Sequence, residues 1–159
     1  MIRKTFYLLI ILLFHFNVFA NDFISGNPRI IDGDTIKMNG ISIRLHGIDT
    51  PEKKQKCKDI NNKFYDCGEM ATRRLKSIIG SNLVECKKKD KDRYQRIIGE
   101  CFVNGESVNA LMVKEGMGIA YRYYSNDYIE EEEFAKINKR GIWSGQFIEP
   151  YQWRKGKRF

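Results

Sequence analysis

Between Thr35 and Leu45, apolar Ile36, Met38, Ile41, Ile43 and Leu45 alternate with polar Thr35, Lys37, Ser42 and Arg44, and the alternation breaks only at Asn39-Gly40. Successive side chains of a strand point to opposite faces, so this pattern commits the segment to a half-buried ribbon, and Asn-Gly supplies the positive φ angles of a two-residue turn. An ideal turn there sets Met38 opposite Ile41 and Thr35 opposite Arg44. It also sends Asp34 to the other side, with Gly33 as the place where a bulge or twist could bring the carboxylate round.

The apolar face of that hairpin needs covering, and the rest of the chain supplies the means. After a basic, polar loop over residues 53–66, Met70, Ala71, Arg74, Leu75, Ile78 and Ile79 recur at helical spacing until Gly80 stops them. Residues 83–87 and Ile97–Val103 read as paired strands across a charged loop, and Ser107 caps a short helix carrying Val108, Leu111 and Met112 that Gly116 ends. Residues 119–123 read as extended. Residues 128–139 read as a helix with Ile129, Phe134 and Ile137 inward and Glu130 to Glu133 as a solvated first turn, where acidic side chains suit the helix dipole. This order predicts an α+β domain, a five-stranded β-barrel of OB type with about three packed α-helices. A chain of 159 residues with 42% apolar residues suits one such core.

Residues 1–20 stand apart from it. Arg3 and Lys4 precede an apolar run over residues 6–14, His15 and Asn17 interrupt, and Val18 and Ala20 follow, the pattern of a secretory signal cut after Ala20. The run falls short of the roughly 18 apolar residues that a membrane-spanning helix needs. Residues 21–159 are then the mature domain of an exported protein, periplasmic or secreted. The whole chain carries a formal charge of +8, and losing Arg3 and Lys4 leaves +6. That excess favours a polyanionic partner, nucleic acid or anionic lipid, by counterion release and long-range attraction. The cations gather at Lys53, Lys54, Lys56 and Lys58, at Lys87, Lys88, Lys89 and Lys91, and at Arg154, Lys155, Lys157 and Arg158; the last group reads as ordinary solvated surface.

Four cysteines in an exported chain argue for two disulfides. Of the three pairings, Cys57 with Cys67 and Cys86 with Cys101 close the short loops, each stabilising by about 3 kcal/mol. No CxxC spacing is present and His15 falls in the signal, which argues against a tetrahedral zinc site.

Chemistry concentrates in Ile31-Asp32-Gly33-Asp34-Thr35, Arg44, and Ile48-Asp49-Thr50-Pro51-Glu52, joined by Arg96 in Asp92-Arg93-Tyr94-Gln95-Arg96. Asp34, Asp49 and a carbonyl near Thr50 are hard oxygen donors suited to Ca²⁺ or Mg²⁺. Taken singly, Asp-Gly-Asp is a turn and Asp-Thr-Pro an Asx turn before a fixed bend.

Taken together, these segments resemble the staphylococcal nuclease family. Asp34, Arg44, Asp49, Thr50, Glu52 and Arg96 match that family's motif in type and order, as do Ala120-Tyr121-Arg122-Tyr123 and Gly141-Ile142-Trp143-Ser144; Gln95 stands where the family frequently has glycine. The resemblance runs from Pro28 to about Trp143. It implies a Ca²⁺-dependent endonuclease, monomeric and free of the membrane after signal cleavage, that cuts DNA and RNA to 3′-phosphate ends and prefers single strands. It further implies that Asp34, Asp49 and the Thr50 carbonyl hold Ca²⁺, that Glu52 is general base, and that Arg44 and Arg96 hold the phosphate. Arg93 and Tyr94 would contact a neighbouring phosphate, Tyr121 the 3′-side phosphate or sugar, and Tyr123 a base. The residue types suit phosphodiester hydrolysis, since planar guanidiniums neutralise charge on phosphoryl oxygens bidentately and an ionised carboxylate takes a proton from water. The alternative is a noncatalytic nucleic-acid-binding OB module with Tyr121, Tyr123 and Tyr124 as stacking platforms. A third reading, a basic protein at an anionic surface, lacks a strongly basic amphipathic helix face.

Overall fold

The computed structural model describes residues 22–159; the expected signal segment and its cleavage point lie outside the described residues. Among the described residues no helix is long and apolar enough to cross a membrane. Strands β1 (Phe23–Gly26), β2 (Arg29–Ile30), β3 (Thr35–Met38), β4 (Ile41–Leu45), β5 (Ile48–Asp49), β6 (Cys57–Lys58) and β7 (Phe64–Tyr65) precede helix α1 (Cys67–Ile79). Then come β8 (Val84–Lys91), β9 (Ile97–Val103), β10 (Glu106–Ser107) and α2 (Val108–Lys114). The chain finishes with β11 (Ile119–Ala120), α3 (Ile129–Ile137), a 3-10 turn at Gly141–Ser144 and α4 (Pro150–Arg154).

The main sheet runs β1-β8-β9-β4-β3-β2, with β10 beside β9. Its edge strands β1 and β2 are separated in the chain by Asn27-Pro28 alone, so the sheet must curl until its edges meet. Asn39 Nδ2 donates to the Ser25 carbonyl at 3.0 Å across that seam. With β1 and β2 counted as one broken strand, β3, β4, β9 and β8 complete the expected OB-type barrel. The hairpin has the expected register, Met38 facing Ile41 and Thr35 facing Arg44, and Asn39 (φ 52°) and Gly40 (φ 79°) make its turn.

The barrel interior is filled by Ile36, Met38, Ile43 and Leu45, and α1 covers it with Ala71, Leu75 and Ile79 at helical spacing. Val108 and Met112 of α2 pack onto the same core. Each such fully buried aliphatic side chain stabilises by about 1.5–3 kcal/mol. Ser107 caps α2 by accepting from the Ala110 N–H at 3.3 Å, and Gly116 (φ 69°) lets the chain leave it. Both disulfides pair as the short loops predict: Cys57–Cys67 ties β6 to the start of α1, and Cys86 faces Cys101 across β8 and β9.

Three expectations need correction. The loop over residues 53–66 contains a small ribbon, β6 paired with β7. Residues 119–123 are extended only at Ile119–Ala120, which pair with β5; the chain then turns, Tyr124 N–H donating to the Tyr121 carbonyl. Helix α3 is also rotated from the expected phase. Ile137 is 79% exposed and Phe134 is exposed, while Tyr128, Glu132 and Ala135 face inward. Buried Glu132 explains the rotation: its carboxylate accepts from the Ala120 N–H at 3.0 Å and pairs with Arg122 and Lys136, so the helix turns its acidic face to β11. The Glu run is therefore not wholly a solvated turn.

Candidate active site

Asp34 and Arg44 meet where the hairpin begins to depart from ideal geometry. The N–H groups of Ile31 and Asp32 both reach the Thr35 carbonyl, at 2.9 and 3.3 Å, and Asp32 Oδ1 accepts from the Asp34 N–H at 3.1 Å. This irregular bend around Gly33 brings the Asp34 carboxylate to the Arg44 side. Arg44 Nη1 lies 3.0 Å from Asp34 Oδ1, and its Nη2 lies 2.9 Å from Asp49 Oδ1. Asp34 also accepts from Thr35 Oγ1 at 3.0 Å and from the Thr50 N–H at 3.3 Å. One guanidinium thus joins two carboxylates from separate segments, Asp34 in the bend before β3 and Asp49 in β5.

Asp49 is fully buried because β5, which carries it, pairs with β11 beneath the surface, Asp49 opposite Ile119. The next residues rise out of the core. Thr50 is buried beside Asp34, Pro51 bends the chain, and Glu52 reaches solvent with its N–H held by Gln55 Oε1 at 3.1 Å. Gln55 is itself fully buried and donates through Nε2 to the Ile148 carbonyl at 2.6 Å. The start of α1 presses on the same segment: a Cβ on Gly68 would lie 1.8 Å from the Glu52 carbonyl oxygen.

The second arginine arrives on the loop between β8 and β9. Asp92 organises it, accepting from the N–H groups of Tyr94 and Arg96 at 2.9 Å each and from Arg96 Nε at 2.7 Å. Two guanidiniums approach the Tyr94 ring, Arg93 at 4.9 Å and Arg96 at 5.7 Å from its centroid. Gln95, at φ 66°, takes a left-handed conformation that glycine adopts without strain.

These elements surround one cavity of about 710 Å³. Asp34, Arg44, Thr50, Glu52, Arg93, Tyr94, Arg96 and Tyr121 all line it. Asp49 lies beneath, touching it through Arg44. Tyr123 is outside the lining and 81% exposed, whereas its neighbour Tyr124 lines the cavity. The three tyrosines form one cluster, with ring centroids 4.9 to 6.3 Å apart.

Sequence reasoning missed Arg154. Read as solvated surface, it enters the cavity from α4 and places Nη1 at 2.9 Å from Asp49 Oδ1 and 2.8 Å from Glu52 Oε1, with Nη2 at 2.9 Å from Asp49 Oδ2. The signal that could have found α4 is Pro150, a residue suited to the first helical position.

Burial pushes the Asp32 carboxyl up to about 6, and the nearby Asp34 charge adds to the effect. Burial also raises Asp49, against the hydrogen bonds from Arg154. Burial disfavours the charge on Arg44 too, but Asp34 and Asp49 outweigh it and hold the guanidinium above its ordinary value. Carboxylates crowded this closely call for positive charge. The oxygens of Asp34 and Asp49 are hard donors of the kind that suits Ca²⁺ or Mg²⁺, and here they accept from Arg44, Arg154, Thr35 Oγ1 and the Thr50 N–H. Among the described residues no group of three or more His, Cys, Asp or Glu is placed to hold a metal ion.

Residues 42–145 match the family described as staphylococcal nuclease homologue. The chain is 32% identical over 157 residues to an uncharacterized endonuclease of Escherichia coli, covering 94% of this chain and 96% of that one. It is 34% identical over 135 residues to an uncharacterized endonuclease of Haemophilus influenzae, covering 80% and 70%. Its identity to the micrococcal nuclease of Shigella flexneri is 33% over 155 residues, covering 86% and 83%. Matched over more than half its length by the family, and over 80% to 94% of it by these relatives, the chain belongs to the staphylococcal nuclease family.

Proposed function

We propose that this chain is an exported, Ca²⁺-dependent endonuclease that hydrolyses phosphodiester bonds of DNA and RNA, single strands in preference, to products ending in 3′-phosphate, acting as a monomer. The observation that carries the reading is Arg44 joined to both Asp34 and Asp49 at a cavity that Glu52 and Arg96 also line. The basic, disulfide-bonded domain behind an apolar N-terminal run supports export and a polyanionic substrate.

Asp34, Asp49 and the Thr50 carbonyl would hold the cation, which when bound supplies positive charge to a phosphoryl oxygen. Arg44 spends one hydrogen of each Nη on the aspartates and keeps donors for a phosphate; Arg96 is paired through Nε alone and keeps both Nη groups. The two guanidiniums stabilise the charge that builds on the phosphoryl oxygens in the transition state. Glu52 takes the proton from the attacking water. Arg93 and Tyr94 offer charge and an aromatic face to the neighbouring nucleotide, and Tyr121, Tyr123 and Tyr124 offer a stacking surface on the other side.

The test is incubation of the purified protein with single-stranded DNA and RNA in Ca²⁺ and then in chelator, with analysis of the product ends. Cleavage in Ca²⁺ alone, leaving 3′-phosphates, is expected. Salt-sensitive binding without product would instead identify a noncatalytic binding module.

A further inference from the structure

Arg154 stands 105 residues from Asp49 in sequence, yet three hydrogen bonds tie it to Asp49 and Glu52. Asp49 is fully buried and Arg44 reaches only its Oδ1; its Oδ2 is held by Arg154. The Glu52 carboxylate makes its one hydrogen bond among the described residues to Arg154 Nη1. The two Nη groups grip Asp49 as a planar fork, and Nη1 also reaches Glu52; an ammonium can touch both carboxylates but lacks the rigid fork that fixes their orientation.

The helix that delivers Arg154 is fastened rather than loose. Ile148 and Pro150, just ahead of it, are buried, and the Ile148 carbonyl is held by Gln55, the residue whose Oε1 also holds the Glu52 N–H. The Arg158 guanidinium covers the Trp153 ring at 3.9 Å from its centroid. Glu52 is thus gripped twice by the chain's last segment, at its backbone through Gln55 and at its carboxylate through Arg154.

We propose that Arg154 is a positioning residue of the hydrolytic centre: from the C-terminal helix it fixes Glu52 and Asp49 in the orientation that catalysis uses. The inference rests on the endonuclease reading above and adds a third arginine to it.

The experiment compares Arg154→Ala and Arg154→Lys with the wild type on single-stranded DNA at saturating Ca²⁺, beside thermal melts and calorimetric titration with Ca²⁺ alone. The expected result is a kcat lower by about 10²-fold in Arg154→Ala and about 10-fold in Arg154→Lys, with KM within about 3-fold of wild type. Free methylguanidinium restores part of the lost kcat to Arg154→Ala, and Ca²⁺ affinity is unchanged or weaker. A wild-type kcat in folded Arg154→Ala overturns the proposal, as does a KM rise with constant kcat, which would make Arg154 a substrate binder. Tighter Ca²⁺ binding with equal or higher kcat also overturns it, by making the guanidinium a competitor of the cation. Should Arg154→Ala fail to fold, Arg154→Lys decides: wild-type kcat sinks the proposal and a 10-fold loss at constant KM supports it. An inactive wild type would fell the endonuclease reading and this inference together, whereas active wild type and equally active variants fell the inference alone.

Discussion

Gln55 Oε1 accepts the Glu52 N–H at 3.1 Å, so a fully buried amide sets the backbone of a carboxylate that faces the cavity. The same amide donates to the Ile148 carbonyl, which makes Gln55 the joint between the Glu52 loop and the C-terminal helix. Gln55→Leu leaves both partners without that bond, and an unsatisfied buried polar group costs about 1–3 kcal/mol. We expect a lower melting temperature and, in the protein that remains folded, a kcat reduced by about 10-fold as Glu52 loosens. Thermal melts and steady-state kinetics check this; an unchanged kcat would show that Glu52 does not depend on Gln55.

Gly68 makes the same point from the other side. A Cβ there would sit 1.8 Å from the Glu52 carbonyl oxygen and 2.6 Å from its carbon, both backbone atoms that no rotamer change can move away. Gly68→Ala therefore forces α1 and the Glu52 segment apart. The expected cost is about 1–3 kcal/mol, as for other overpacked sites, together with a loss of activity larger than the stability change explains. Urea unfolding and kinetics on the folded fraction separate the two effects.

What the sequence made legible was local. Alternation and Asn39-Gly40 disclosed the hairpin and its register, helical spacing disclosed α1 up to Gly80, and short loops disclosed both disulfides. These signals live within a few residues of one another. The rotation of α3 was hidden because its cause, the Ala120 N–H and the Arg122 side chain reaching Glu132, lies outside the helix. The meeting of Asp34 with Arg44 was hidden because ideal strand alternation opposes it, and only the bend at residues 32–34 reverses that. Arg154 was hidden most completely. Its neighbours Lys155, Lys157 and Arg158 give it the look of a solvated basic tail, and nothing local marks it as a partner of Asp49.

The two disulfides should behave differently. Cys57–Cys67 closes the loop that contains neither strand of the barrel but abuts Gln55, whose carbonyl lies 3.4 Å from the Cys67 sulfur. Cys86–Cys101 staples two barrel strands away from Glu52. Each stabilises by about 3 kcal/mol in the chain-entropy account. Replacing either pair by serine is expected to lower the melting temperature, but only Cys57→Ser with Cys67→Ser should also lower kcat at a temperature where both variants are folded. Equal kcat values in the two double variants would contradict this.

Gln95 is held at φ 66° inside the turn that presents Arg96, its N–H donating to the Asp92 carbonyl at 2.9 Å. The left-handed region costs a residue with a Cβ about 1–2 kcal/mol, partly recovered by the greater chain entropy that glycine loses on folding. Gln95→Gly should stabilise the protein by up to about 1 kcal/mol, read as a higher urea midpoint at constant slope, and should leave cleavage intact. Destabilisation would mean that the Gln95 side chain holds the loop in a way its backbone does not reveal.

Asp92 gives that loop a pH dependence. Partial burial works against its charge, but hydrogen bonds from the Arg96 side chain and backbone outweigh it and hold the carboxyl below its ordinary value. A carboxylate whose folded value is depressed contributes stability that is fully present above its unfolded value, near 4, and is lost as pH falls through the folded one. Asp92→Asn keeps an oxygen able to accept from Tyr94 and Arg96 N–H but removes the ion pair to Arg96 Nε. The variant should be less stable than wild type by a constant amount from pH 5 upward, with the gap closing below pH 4. Urea unfolding across that range tests the sign directly; a gap that widens toward acid would place the stabilising proton on the wrong side of the equilibrium.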